Sequence, residues 1–95
     1  MTPQIEEALG ILQEECAEVI VEVSKIRRFG IDSVHYKTKM THNEMLEIEV
    51  GDMLAMVDIL IEQGVLDTRS LDEAKAAKKE KLKEWSNIFS SKDDV

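Results

Sequence analysis

The segment THNEMLEIEVGDMLAMVDILIEQ, residues 41–63, decides the fold. Thr41 followed three residues later by Glu44 is a capping box: the hydroxyl accepts a backbone N–H of the first turn, and the glutamate reaches back to the N–H of the cap. A helix is therefore predicted from about residue 42 to about Gln63, with Gly64 as its stop. Its central stretch, MLAMVDILI (53–61), is apolar on nearly every face. Such a helix packs against neighbours on several sides, and some of these are expected to come from another subunit.

Towards the N-terminus, Thr2 and Pro3 read as an N-cap with proline at the first helical position, and Glu6 and Glu7 suit the positive end of the helix dipole. Ile5, Ala8, Leu9, Leu12, Cys16, Val19, Ile20, Val23 and Ile26 then recur at three- and four-residue spacing, and Gly30 follows Arg27 and Arg28. One long helix over about residues 3–29 is predicted. Residues 30–41, GIDSVHYKTKMT, lose the period and are expected to form a connection with at most a short helical turn. Towards the C-terminus, Ser70-Leu-Asp-Glu forms a second capping-box pattern and predicts a helix over about 70–88 that carries most of the positive charge. The tail SSKDDV is expected to fray.

The expected fold class is thus all-α: one domain spanning 1–95, an antiparallel bundle of three main helices (about 3–29, 42–63 and 70–88), with four-helix-type cores completed by oligomerisation. Ninety-five residues bury a modest core. The single cysteine, Cys16, cannot staple the chain to itself and reads as a small buried hydrophobe, so self-association is the expected remedy. The formal net charge of −8 speaks against nucleic acid and anionic membranes as partners. The N-terminus lacks a basic stretch followed by an apolar run, and no apolar stretch reaches the length of a membrane span, so a cytoplasmic location is expected.

Two segments concentrate carboxylates: Glu14-Glu15-Cys16-Ala17-Glu18 and Glu49-Val50-Gly51-Asp52. Glu15 with Glu18, and Glu49 with Asp52, are three residues apart and share a helix face one turn apart. Glu14, Glu15 and Glu18 alone would equally suit a solvated face. Glu49 and Asp52 interrupt an otherwise apolar run, where unpaired charge is costly, so a compensating cation is expected. Mg²⁺ fits: it takes oxygen ligands and bridges carboxylates to phosphates. Gly51 lowers helix propensity and suggests a close approach by another helix or a ligand.

In order and helical context these motifs resemble the MazG-like all-α nucleoside triphosphate pyrophosphohydrolases, over roughly residues 9–63. Glu14-Glu15-x-x-Glu18 with Val19 is similar to the first motif, and Glu49-Val-Gly-Asp52-Met-Leu to the second. The spacer between Glu18 and Glu49 is longer than usual, and the short helix that commonly precedes the first motif is missing or merged into the long first helix. The resemblance implies Mg²⁺, with Mn²⁺ as a substitute, held by Glu15, Glu18, Glu49 and Asp52. It implies hydrolysis of a (deoxy)nucleoside triphosphate to the monophosphate and pyrophosphate, by water attack at the α–β anhydride. Glu14 and Glu15 are the expected catalytic acids, Glu14 acting beyond the ligands or as the base that orients the water; Glu22 is held in reserve.

Family members contact phosphates from the region of the third helix, which nominates Lys78, Lys81 and Asn87; each also reads as ordinary surface. Trp85 either stacks on a base or anchors packing. His35, Tyr36, Lys37, Lys39 and His42 either reach over the site or form a solvated loop. The expected assembly is a homotetramer, with a dimer as the alternative. Two other functions stay open: a non-catalytic helical regulatory or partner-binding protein, and a phosphoribosyl-ATP pyrophosphohydrolase.

Overall fold

A computed structural model describes residues 1–89, and the tail SSKDDV, expected to fray, lies outside the described residues. The described chain is all-helical, with α1 at Pro3–Phe29, α2 at His42–Glu62 and α3 at Thr68–Trp85. Among the described residues no helix is long and apolar enough to cross a membrane. The chain divides into two compact units, Met1–Val65 and the part from Leu66 onward.

In the first unit the local signals act as their chemistry dictates. The Thr2 hydroxyl accepts the Ile5 N–H at 3.1 Å, Pro3 occupies the first turn, and α1 ends at Gly30, whose φ of 99° suits a residue without a Cβ. The Gly30 N–H closes the last turn on the Ile26 carbonyl at 2.7 Å. At the start of α2 both halves of the capping box form: the Thr41 Oγ1 accepts the Glu44 N–H at 3.0 Å, and the Glu44 carboxylate accepts the Thr41 N–H at 3.1 Å. The Thr41 N–H, together with the Thr41 hydroxyl that donates to the same carboxylate oxygen at 3.0 Å, favours the ionised form and holds Glu44 below its ordinary pKa. α2 ends in a Schellman arrangement: the Gly64 N–H donates to Ile61 O and the Val65 N–H to Leu60 O, with Gly64 at φ 76°.

α1 and α2 pack against each other in antiparallel fashion. Ala8 and Ile11 share a cavity with Met56 and Ile59, Glu15 lies beside Glu49 and Asp52, and Glu22 lies beside His42. Positions thus rise along one helix as they fall along the other. Ala8, Met56 and Leu60 form the buried apolar centre, and Leu60 is 0 % exposed. Ile20, Val23, Ile48 and Leu54 are exposed on this chain.

Residues 30–41 are more ordered than a plain connection. Val34 and Thr41 form an isolated antiparallel bridge, the His35 N–H donates to Met40 O at 2.9 Å, and the His42 N–H donates to Ser33 O at 2.9 Å. The His35 Nδ1 accepts the N–H groups of Lys37 and Thr38, so a side chain stabilises the tip of this small hairpin.

In the second unit α3 differs from expectation at both ends. The cap is Asp67 rather than Ser70: its carboxylate accepts the Ser70 N–H at 3.0 Å and the Ser70 hydroxyl at 3.2 Å, so helix begins at Thr68. The helix stops at Trp85 rather than Ile88. Ser86 turns to extended backbone, and its hydroxyl donates to the Leu82 carbonyl at 2.6 Å, occupying an acceptor at the helix end.

Candidate metal centre

The face of α1 that packs on α2 carries Ala8, Glu15 and Glu22, two turns apart in each step, and α2 presents Glu49 and Asp52 one turn apart. Antiparallel register brings Glu15 to that pair. One carboxylate oxygen from each of Glu15, Glu49 and Asp52 lies within 4.8 Å of the others. Glu15 and Glu49 are half-buried and Asp52 is exposed, so the group opens to water on one side.

Two consequences of crowding like charges are visible. Glu49 is held above the ordinary carboxylate pKa, first by burial and then by the charges of Glu15, Asp52 and Glu18. Glu15 Oε2 is shut off from water with no hydrogen-bond partner among the described residues. A buried acceptor left in this state is costly, and a cation would satisfy it. Oxygens around one Mg²⁺, each about 2.1 Å from the ion, are at most about 4.2 Å apart. Of three ligands on an octahedron only one pair can be opposite and the others lie about 3.0 Å apart, so the carboxylates need to close by up to about 1.8 Å, within the swing of glutamate and aspartate side chains. Residues and charge fit a hard divalent cation.

Of the expected quartet, Glu15, Glu49 and Asp52 come together. Glu18 is exposed and stands outside the group, although its charge reaches Glu49. Glu14 is exposed on the turn that holds Glu15. Among the described residues a Cβ at Gly51 would meet nothing within 4 Å, so the close approach expected there is not made by any of them. Lys78 and Lys81 are exposed on α3, and Asn87 lies beyond its end, in the second unit.

Glu22, the reserve ligand, joins a different group. It is 4 % exposed, with Oε1 at 3.4 Å from Lys25 Nζ and Oε2 at 3.8 Å from Nδ1 of His42, itself 6 % exposed. Among the described residues Glu22 Oε2 and His42 Nδ1 have no hydrogen-bond partner. His42 is thus the buried first residue of α2 rather than a loop residue. The sequence did carry a signal for Glu22, because it falls three residues after Val19 and four before Ile26 on the packed face of α1.

Compared with protein-family models, curated proteins and solved structures, the chain finds no match, and the site is read from its own residues.

Proposed function

We propose that this chain is a metal-dependent nucleoside triphosphate pyrophosphohydrolase, releasing pyrophosphate and a nucleoside monophosphate. The observation that supports the reading most directly is the trio Glu15, Glu49 and Asp52, drawn from two packed helices and including a buried Glu15 oxygen with no partner. The MazG-like order of the two acidic motifs supports the same reading.

Glu15, Glu49 and Asp52 would hold Mg²⁺, or Mn²⁺ in its place, with Glu18 completing the negative field. When bound, the ion supplies charge neutralisation for the phosphate chain and activation of water. Glu14, exposed beside Glu15, takes the proton of the water that attacks the α–β anhydride; the bond to the leaving phosphate breaks, and pyrophosphate departs. Exposed Ile20, Val23, Ile48 and Leu54 on the helical hairpin support a homo-oligomer, for which we propose a tetramer. Its work on free nucleotides, and a net charge of −8, suit a cytoplasmic protein that binds neither nucleic acid nor membrane.

The test is pyrophosphate release from each ribo- and deoxynucleoside triphosphate, with Mg²⁺ and with EDTA. Glu49→Ala and Asp52→Ala are each expected to lower turnover at least about a hundredfold, comparable to losing one electrostatic stabiliser. Absence of metal-dependent release from every substrate overturns the reading, as does activity that survives both substitutions.

A further inference from the structure

Where α1 gives way to the hairpin of residues 30–41, a cavity of about 400 Å³ opens, lined by Phe29, His35, Tyr36 and His42, with Lys25 at its edge. It gathers the chain's one tyrosine, one of its two phenylalanines and both of its histidines. The rings are ordered in two stacked pairs. Phe29 and His42 lie 6.1 Å apart and 25° from parallel; His35 and Tyr36 lie 5.5 Å apart and 9° from parallel. His42 faces His35 edge-on at 6.4 Å, so the pairs are set at an angle around one space.

Three features distinguish this cavity from an incidental dent. The hairpin's tip is held by its own polar contacts, with His35 Nδ1 accepting two backbone N–H groups, so the wall is pre-formed. Phe29 and Tyr36 are 58 % and 74 % exposed, and beyond their stacked partners they are met only by flexible cations that a base would displace, Arg28 at 5.1 Å from the Phe29 ring and Lys37 Nζ at 5.8 Å from the Tyr36 ring. His42, nine-tenths buried and part of the wall, has an Nδ1 without a hydrogen-bond partner beside an equally buried Glu22. Apolar walls with a few fixed polar groups are the usual make-up of a small-molecule site.

The distance to the acidic trio selects the ligand. Glu22 follows Glu15 by seven residues on α1, and His42 precedes Glu49 by seven on α2; each step is about 10.5 Å at the rise of an α-helix. An extended nucleotide places its base about this far from its phosphates. We infer that the cavity is the base-binding subsite of the same nucleotide: the base stacks on the faces of Phe29 and Tyr36 and is oriented by the imidazole of His42, while the phosphates lie at Glu15, Glu49 and Asp52. The assignment of the phosphates rests on the pyrophosphohydrolase reading. The assignment of an aromatic, base-binding cavity does not, because it stands on the rings themselves. The hairpin of residues 33–42 then sets base preference, and the acids set the chemistry.

Two measurements separate these claims. In EDTA, where the acids hold no ion, adenosine, guanosine, cytidine, thymidine and uridine are offered to the full chain and read by saturation-transfer NMR. At least one should show transfer to its base protons, and the signal should be lost in Tyr36→Ala and Phe29→Ala. With Mn²⁺ present, α,β-methylene analogues of the triphosphates and bare tripolyphosphate are titrated by calorimetry. Each aromatic substitution should weaken the preferred nucleotide about 5- to 150-fold, the range of one lost base–aromatic stack, and leave tripolyphosphate unchanged. Tyr36→Phe should restore binding, which a loss of folding would not allow. The inference is overturned if no nucleoside shows transfer, if transfer survives both alanine variants, or if nucleotides bind no more tightly than tripolyphosphate. Nucleoside binding without pyrophosphate release from any triphosphate would instead sink the proposed reaction and leave the base subsite standing.

Discussion

Glu49→Gln should make the metal-free protein more stable and the metal-loaded protein no more stable than that. In EDTA at pH 7.5, Glu49 faces Glu15 and Asp52 with carboxylate oxygens within 4.8 Å. Two unit charges at that separation repel by about 0.9 kcal/mol in water, so the two pairs amount to about 1.7 kcal/mol. Screening at 0.15 M salt leaves about 1 kcal/mol. Since 1 kcal/mol moves the midpoint of a domain of this size by about 4–8 °C, the glutamine variant should melt that much higher than the parent in EDTA.

Mg²⁺ reverses the order. An ion that binds only the folded state, at ten times its Kd, stabilises by about 1.4 kcal/mol, or about 6–11 °C. The parent should gain this and the variant should not, because one of its three charged ligands is gone. Differential scanning fluorimetry at fixed protein concentration and matched ionic strength reads both effects. Asp58→Asn, which removes an exposed charge on α2 outside the trio, is the control for net charge and should follow the parent. A variant that melts below the parent in EDTA, or gains as much as the parent from Mg²⁺, refutes the account of the trio as a cation site.

The pH dependence of the metal-free protein should carry the same sign. Glu49's pKa is raised on folding, so its contribution is fully present below the ordinary carboxylate value, is lost as pH rises through the raised value, and should be absent from Glu49→Gln in melts between pH 4 and 7.5. Glu44 acts in the opposite sense: its pKa is lowered, so its contribution is present above the ordinary value and is lost as pH falls through the lowered one, which Glu44→Gln should abolish in the same melts. Thr41→Ala removes the hydroxyl that caps α2 and should cost about 1 kcal/mol in urea unfolding with an unchanged slope. Gly64→Ala should cost about 1–2 kcal/mol, because its φ of 76° is unfavourable to any Cβ although space is open. Gly51→Ala, in helix with open space, should gain about 0.5–1 kcal/mol; loss of assembly by light scattering would instead place a subunit contact there.

What was legible in the sequence was what adjacent residues decide. Thr2-Pro3, Gly30 and the Thr41–Glu44 box placed the ends of α1 and the start of α2, because each acts on backbone groups within one turn. The start of α3 departs from the Ser70 pattern for a reason of the same kind. Ser70-Leu-Asp-Glu and Asp67-Thr-Arg-Ser both present an oxygen three residues before a free N–H. Asp67, the charged acceptor, takes both the N–H and the hydroxyl of Ser70, so Ser70 becomes a capped residue and not a cap. Within the site, spacing showed that Glu15 and Glu18 share a face, but not which of them α2 would meet. That depends on the register of two helices separated by a hairpin whose bridge between Val34 and Thr41 has no periodic signature. The aromatic cavity was hidden for the same reason: Phe29, Tyr36 and His42 span three local contexts and converge only when the hairpin closes.

The order of side chains along the α1–α2 pair links stability to function. One end is apolar, closed by Ala8, Met56 and Leu60; the middle carries mutually repelling acids; the far end carries aromatic rings and the buried Glu22 beside Lys25 and His42. With so few apolar side chains fully buried, the repulsion of about 1 kcal/mol in the middle is a sizeable share of the stability available to a small domain. Neutral residues at 49 and 52 would relieve that repulsion. On the proposed reading, charge kept there would tie the paired helices to a cation. The same register carries the rings two turns further along the pair, so the helix contact that creates the repulsion also fixes the distance between acids and rings. If that distance serves one nucleotide, lengthening both helices by one turn, between Glu15 and Glu22 on α1 and between His42 and Glu49 on α2, should abolish nucleotide preference while tripolyphosphate binding persists.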